Sequence, residues 1–202
     1  MNNDILFSII IPTFNRGYLI KNTINSLLKQ DYSNYEILVV DDGSTDNTKE
    51  IIDSLKNDKI NYFFKKNGER GSARNYGLYK SKGDYINFFD SDDEAMPNHL
   101  STAKNLIMKT GLNILHLGHN IKKKNKLISN NPIGDLSIKM MYGNIMLPIS
   151  TFVSRGLALK IKFSENRELS GSEDYLFWLK IIAYQKIIGF PNITSNLIIH
   201  NN

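Results

Sequence analysis

The chain has 202 residues, 41% hydrophobic and 22% charged, the make-up of a folded, water-soluble protein with room for one sizeable core. It has no cysteine, which excludes disulfides, zinc–thiolate centres and thiol catalysis. A net charge of +5 favours anionic partners, and the lack of a membrane-length apolar run or of a basic-then-apolar leader makes a cytoplasmic place the expectation.

Residues 6–11 are apolar and β-branched, the pattern of a strand buried on both faces, and Pro12 is expected to stop it. Thr13-Phe14-Asn15-Arg16-Gly17 follows as a loop at the strand's C-terminal end, the edge where α/β sheets bind ligands. Leu19, Ile20, Ile24, Leu27 and Leu28 then recur at helical spacing. Residues 35–40 form a second strand that runs into Asp41-Asp42-Gly43-Ser44-Thr45-Asp46. Gly43 suits a sharp turn, and Ser44, Asp46 or Asn47 suits the cap of a helix burying Ile51, Ile52 and Leu55. Residues 60–64 are a third strand. The polar loop 66–71 feeds a helix predicted over 72–82 and closed by Gly83.

Residues 85–89 are a fourth buried strand, and it delivers Asp90-Ser91-Asp92-Asp93. Carboxylates this dense repel one another unless a cation neutralises them. In an extended segment Asp90 and Asp92 would project to the same side and share a ligand. Hard oxygen donors suit Mg²⁺ or Mn²⁺. Taken alone, a solvated acidic turn is the plainer reading.

Pro97 suits the first turn of a further helix, with Leu100, Ala103, Leu106 and Ile107 inward. Residues 113–117 read as a strand, and the polar stretch 118–132 as a hairpin or mobile loop. Within it, Lys122-Lys123-Lys124 and Lys126 make a basic patch. Its plain reading is a solvated loop; its functional reading is a contact with anionic membrane or a lipid-phosphate acceptor. No nucleic-acid-binding motif accompanies it, so no nucleic-acid partner is expected. A short helix near 135–141 and a strand near 150–154 follow. Glu173-Asp174 then opens a helix over 175–185, and a strand at 197–199 precedes His200. The alternation of strands and helices up to residue 93 implies a largely parallel sheet with helices on both faces.

Five segments resemble, in order and over nearly the whole chain, the motifs of the family 2 glycosyltransferases, an inverting group with the GT-A fold. They are residues 8–16, with Ile11-Pro12-Thr13-Phe14-Asn15; 39–46, with Asp41-Asp42-Gly43; 71–77, with Ala73-Arg74-Asn75; 83–93, ending in the acidic turn; and Glu173-Asp174. The resemblance implies an α/β, Rossmann-like fold: a mixed, mostly parallel central sheet with helices on both faces. It implies one domain over 1–202, with 1–93 the nucleotide-binding half and 94–202 the acceptor-binding half. Phe14 would stack on the base, with Pro12, Thr13 and Asn15 beside it. Asp42 would accept the imide N–H of uracil, and Arg74 would pair with a carboxylate or a phosphate. Asp90 and Ser91 would face the ribose and diphosphate. Asp92 would bind a divalent metal, Mn²⁺ or Mg²⁺, with Asp90 and His200, while Asp93 stands behind them. Asp174 would be the general base, and Glu173 would bind acceptor or cap its helix. His116 and His119 are read as structural.

The reaction so implied moves a sugar from a nucleotide-sugar, a UDP-sugar, to an acceptor hydroxyl of a glycan, a lipid-linked glycan or a protein. The setting would be cell-surface polysaccharide or glycolipid synthesis, in the cytoplasm, with peripheral contact at the inner face of the membrane. The sequence stops two residues past His200, so a minimal enzyme and a truncated catalytic domain are both open. A nucleotidyltransferase should carry a glycine- and arginine-rich phosphate loop after the first strand, where Pro12-Thr13-Phe14-Asn15 stands. A dinucleotide-binding G-x-G-x-x-G and a P-loop are absent there too. A non-catalytic nucleotide-sugar-binding module remains the rival of another class, and it would have no use for a base at Asp174.

Overall fold

The computed structural model describes residues 4–124 and 126–200. In chain order the elements are β1 (Phe7–Thr13), α1 (Gly17–Leu27), β2 (Tyr35–Asp41), α2 (Thr48–Ser54), β3 (Ile60–Phe64), α3 (Glu69–Lys80) and β4 (Tyr85–Phe88). They continue with β5 (Glu94–Ala95), α4 (His99–Thr110), β6 (Ile114–Lys123), β7 (Lys126–Asn130), β8 (Gly134–Asp135), α5 (Ser137–Met140), β9 (Thr151–Ser154), α6 (Arg155–Ile161), α7 (Glu173–Ile182) and β10 (Ile188–Ile199). One mixed sheet takes the order β3-β2-β1-β4-β9-β6-β10-β5, with β7 on β6 and β8 on β10. The pairs β3-β2, β2-β1, β1-β4 and β6-β10 are parallel, and β9 is antiparallel to both β4 and β6.

Successive side chains of a strand point to opposite faces, and β1 shows why both faces are apolar. Ile9 and Ile11 pack with Val39 under α1 and α4, against Ile20, Ile24 and Leu100. Ile10 faces the other way, with Leu38, Val40 and Phe88, toward Ala73 of α3 and Phe177 and Trp178 of α7. Each buried Ile contributes roughly 1.5–3 kcal/mol relative to exposure. Gly77 lets α3 lie directly on this face: a Cβ there would run into Ile10 and press on Val40.

The structure departs from the sequence reading in several places. Pro12 does not end β1, which runs on to Thr13 and pairs Pro12 with Val40. Ile10 O accepts from Phe89 N and Thr13 O from Asp42 N, so Pro12 turns its missing N–H to the β4 side, where β4 has already finished. The helix α3 begins at Glu69 rather than 72, and α7 begins at Glu173 itself. The acidic stretch is a turn, with Asp93 N donating to Asp90 O at 3.3 Å, so period-two geometry does not apply to Asp90 and Asp92. β5 and α6 have no counterpart in the sequence reading.

The stretch expected as a strand at 197–199 is the end of a strand that starts at Ile188. Its middle is polar yet buried. Thr194 Oγ1 lies 2.9 Å from His99 Nδ1, Ser195 Oγ 3.0 Å from Ser150 Oγ, and Asn196 Oδ1 accepts from Asn120 Nδ2 at 3.1 Å. His99 Nε2 reaches Asn87 Oδ1 at 3.2 Å, and His116 Nδ1 reaches Thr151 Oγ1 at 2.8 Å. His116 and His119, read from the sequence as structural, are buried.

Candidate active site

The C-terminal ends of β1, β2 and β4 lie side by side and, with the start of α3 and the end of β10, enclose a cavity of about 380 Å³. Pro12, Thr13 and Phe14 line it from β1, Asp42 from β2, and Asp90, Ser91, Asp92 and Asp93 from the turn after β4. Such an edge is where strand ends splay and loops diverge, leaving room for a ligand. Phe14 is 48% exposed, an apolar ring left open at the cavity.

The first two loops are tied together. Asn15, in the left-handed region at φ 52°, does not line the cavity. Its amide donates to Ser44 Oγ at 2.8 Å and its Oδ1 accepts from Thr45 N at 2.8 Å, joining the β1 and β2 loops. Asp46 accepts from Gly17 N at one oxygen and from Thr48 N and Oγ1 at the other, so one carboxylate serves the starts of both α1 and α2. Burial works against its charge, but these donors win and hold its pKa below the usual carboxylate value.

Asp41 and Asp42 divide their roles. Asp41 points back, accepting from Ser44 N at 2.7 Å and from the Tyr62 hydroxyl at 2.8 Å, and so shapes the turn. Asp42 is buried and already well supplied with donors: Lys65 Nζ at 2.6 Å, Asn67 Nδ2 at 3.1 Å and Gly68 N at 3.0 and 3.1 Å. Gly43, at φ 94°, makes the turn that lets Asn67 come this close. The sequence reading gave Lys65 and Asn67 no role; Asn67 falls in the polar, glycine-bearing loop before α3, and no signal marked Lys65.

Arg74 sits beneath the cavity rather than in its wall. Nη2 bonds Asp90 Oδ1 at 2.9 Å and Nη1 bonds Glu173 Oε1 at 2.8 Å. Desolvation opposes its charge, yet Asp90 and Glu173 together raise its pKa, so it stays a guanidinium. Glu173 is buried too, and its other oxygen accepts from Gly171 N at 2.6 Å. Its burial is outweighed chiefly by Arg74, and its pKa falls.

Asp174, the next residue, lies outside the cavity lining. Its Oδ1 accepts from Tyr175 N at 2.7 Å and its Oδ2 from Asn144 Nδ2 at 3.1 Å. Burial dominates these bonds and the pull of Arg74, and raises its pKa. The same Arg74–Glu173 bond that fixes the start of α7 therefore ties Asp174 to the acidic turn.

On that turn, Arg16 Nη1 lies 3.4 Å from Asp92 Oδ2 and His200 Nε2 lies 3.9 Å from the same oxygen. Asp93 is buried, accepting from Ile198 N at 2.8 Å, which joins the turn to β10. Among the described residues no three His, Cys, Asp or Glu side chains form a ready-made metal cage. Arg74 engages only one oxygen of Asp90, and Arg16 and His200 only one of Asp92. Two carboxylates with oxygens to spare, beside an imidazole, fit a hard divalent cation.

Comparison with known proteins bears on this edge of the sheet. Residues 8–156 match the family model described as Glycosyl transferase family 2. An uncharacterized glycosyltransferase of Rickettsia conorii is 36% identical over 195 residues, which take in 90% of this chain and 32% of that protein. The chain thus spans about a third of that relative's length. A GalNAc(5)-diNAcBac-PP-undecaprenol beta-1,3-glucosyltransferase of Campylobacter jejuni is 40% identical over 99 residues, 47% of this chain and 32% of that protein. Among solved structures, S. aureus TarS 1-349 in complex with UDP-GlcNAc superposes with a TM-score of 0.80 at 25% identity, covering 98% of this chain and 59% of that one.

Proposed function

The chain belongs to glycosyl transferase family 2, and from that footing we propose that it moves a sugar from a UDP-sugar to an acceptor hydroxyl with inversion, in the synthesis of a cell-surface polysaccharide or glycolipid. The observation that carries the proposal is the Arg74 bridge, which couples Asp90, on the wall of the cavity, to Glu173, the neighbour of Asp174. On this reading the bridge supports a donor site and a proton acceptor held close together. The UDP-GlcNAc bound by TarS and the undecaprenol-linked substrate in the Campylobacter protein's name support the donor class and a lipid-linked acceptor.

In this reading Phe14 stacks on the base, and Pro12 and Thr13 flank it. Asp42, held by Lys65, Asn67 and Gly68, closes that end of the cavity and orients the base. Asp92 would hold a divalent cation, with Asp90 and His200 beside it. When bound, the cation would offset charge gathering on the leaving diphosphate. Asp174 takes the proton of the attacking hydroxyl. A hydroxyl is a weak nucleophile while protonated, and a carboxylate with a raised pKa is a better base than an ordinary one. One displacement, with no covalent sugar–enzyme intermediate, inverts the anomeric centre.

The test is release of UDP from a panel of UDP-sugars with Mn²⁺, comparing wild type with Asp174→Asn. Slow release in wild type and none in the variant, with UDP affinity unchanged, is the expected result. Tight UDP binding without turnover for any donor and acceptor would instead make the chain a nucleotide-sugar-binding module.

A further inference from the structure

We propose that the β6–β7 hairpin is a docking element that seats the chain on an anionic lipid surface. β9 is antiparallel to both β4 and β6, so β6 runs parallel to β4, and its C-terminal end lies on the same edge of the sheet as the cavity. The ladder pairs Lys122 with Ile198 and Lys123 with Ile199, next to the β10 residues that line the cavity. Lys122 Nζ also lies 2.7 Å from Glu94 Oε2, which ties the tip end of the hairpin to the residue that follows the acidic turn. The turn end of the hairpin is therefore fixed on the sheet next to the cavity mouth.

Its far strand, β7, is an edge. Leu127 is 60% exposed and Ile128 57% exposed. Adjacent residues of a strand point to opposite faces, so both faces of this ribbon carry a bare aliphatic side chain. A protein partner laid against the ribbon would cover one face; an apolar medium surrounding the tip covers both. Lys123, Lys124 and Lys126 are exposed around that pair, and the hairpin holds no acidic residue. Lysine stems lie along apolar surface while their ammonium groups stay among anionic headgroups. Aliphatic tip and lysine collar together match a bilayer interface whose lipids carry negative charge.

The inference rests on the proposed transfer only for its purpose, the presentation of the cavity to a lipid-linked acceptor. Docking is measured without donor or acceptor, so its failure leaves the transfer reading intact. The experiment is co-sedimentation of the chain with vesicles of phosphatidylglycerol and, separately, of phosphatidylcholine. Binding to phosphatidylglycerol alone is expected. The triple variant Lys123→Ser, Lys124→Ser, Lys126→Ser is expected to weaken it on the order of a hundredfold. The double variant Leu127→Ser, Ile128→Ser is expected to weaken it about tenfold or more. Both variants should keep the wild-type melting temperature and UDP affinity. No binding to either vesicle, or binding that either variant leaves unchanged, overturns the proposal. So does a wild-type dimer in sedimentation velocity that the double variant returns to monomer without any vesicle binding, which would make β7 a self-association edge.

Discussion

Arg74 and Glu173, separated by 99 positions in the chain, meet at 2.8 Å inside the molecule, with almost none of the guanidinium in water. The second arm of Arg74 reaches Asp90, so a single cation compensates two carboxylates. Removing it strands both charges. Arg74→Ala is expected to destabilise the fold by about 3–5 kcal/mol in urea unfolding. Glu173→Gln, which keeps the shape and one acceptor, should cost clearly less. Equal costs for the two variants would mean that the pair contributes packing rather than charge compensation.

Asp174→Asn tests the base. The amide keeps the side-chain shape and loses the proton-accepting oxygen. Turnover is expected to fall about 10²- to 10⁴-fold while UDP affinity stays unchanged. Because burial raises the Asp174 pKa, and only the ionised form accepts a proton, kcat should climb with pH through a midpoint above the ordinary Asp value of about 3.9. A midpoint at or below that value would remove Asp174 from the role.

In the proposed reading Arg16 and a bound cation would compete for the Asp92 carboxylate. In calorimetry with Mn²⁺ alone, Arg16→Ala should bind the ion several-fold more tightly, since the guanidinium 3.4 Å from Asp92 Oδ2 is gone. Asp92→Ala should abolish the dependence of UDP affinity on Mn²⁺. Unchanged metal dependence in Asp92→Ala would take Asp92 out of the site.

The buried histidines set an acid limit on stability. Burial holds His99 and His116 neutral, with pKa values lowered to about 3. In the unfolded chain each protonates near 6.5. The folded state binds fewer protons between those values, so stability is full above about pH 6.5 and is lost as pH falls, by up to about 1.4 kcal/mol per histidine per unit. Urea midpoints at neutral and mildly acid pH measure this slope. His99→Gln should flatten it, and a slope unchanged in that variant would contradict the assignment.

Gly77→Ala sets two effects against each other. Alanine favours a helix by about 1 kcal/mol, but its Cβ runs into Ile10 and presses on Val40. Overpacking of about 1–3 kcal/mol is expected to win, so the variant should melt lower than wild type.

What the residues disclosed and what they hid follow from one contrast. The strands β1, β2 and β4 are largely apolar runs buried in the sheet, and that pattern identifies them directly. The middle of β10 is as deeply placed, but Thr194, Ser195 and Asn196 are satisfied by His99, Ser150 and Asn120 from elsewhere in the chain. A polar run that finds partners only in three dimensions looks like a loop in one. The bulges where its pairing register shifts, near Phe190 and Ile193, hide it further. At the site, the turns that hold Phe14, Asp42 and Asp92 were legible because each follows a buried strand. The company of Asp42, and the concealment of Arg74 beneath the cavity, depend on α3 starting at Glu69, which no local signal marked.

β5 has a consequence for synthesis of the chain. Its two residues, Glu94 and Ala95, pair only with Ser195 and Asn196, and Asp93 waits for Ile198, 105 positions further on. While the ribosome is still at work, the acidic turn has no such clasp, and ladder pairing over so long a separation is slow. The parallel core of β1 to β4 can assemble early, whereas the cavity completes itself only after β10 has emerged. A nascent chain arrested before Ile188 should therefore acquire protease resistance over its N-terminal half and yet retain little nucleotide.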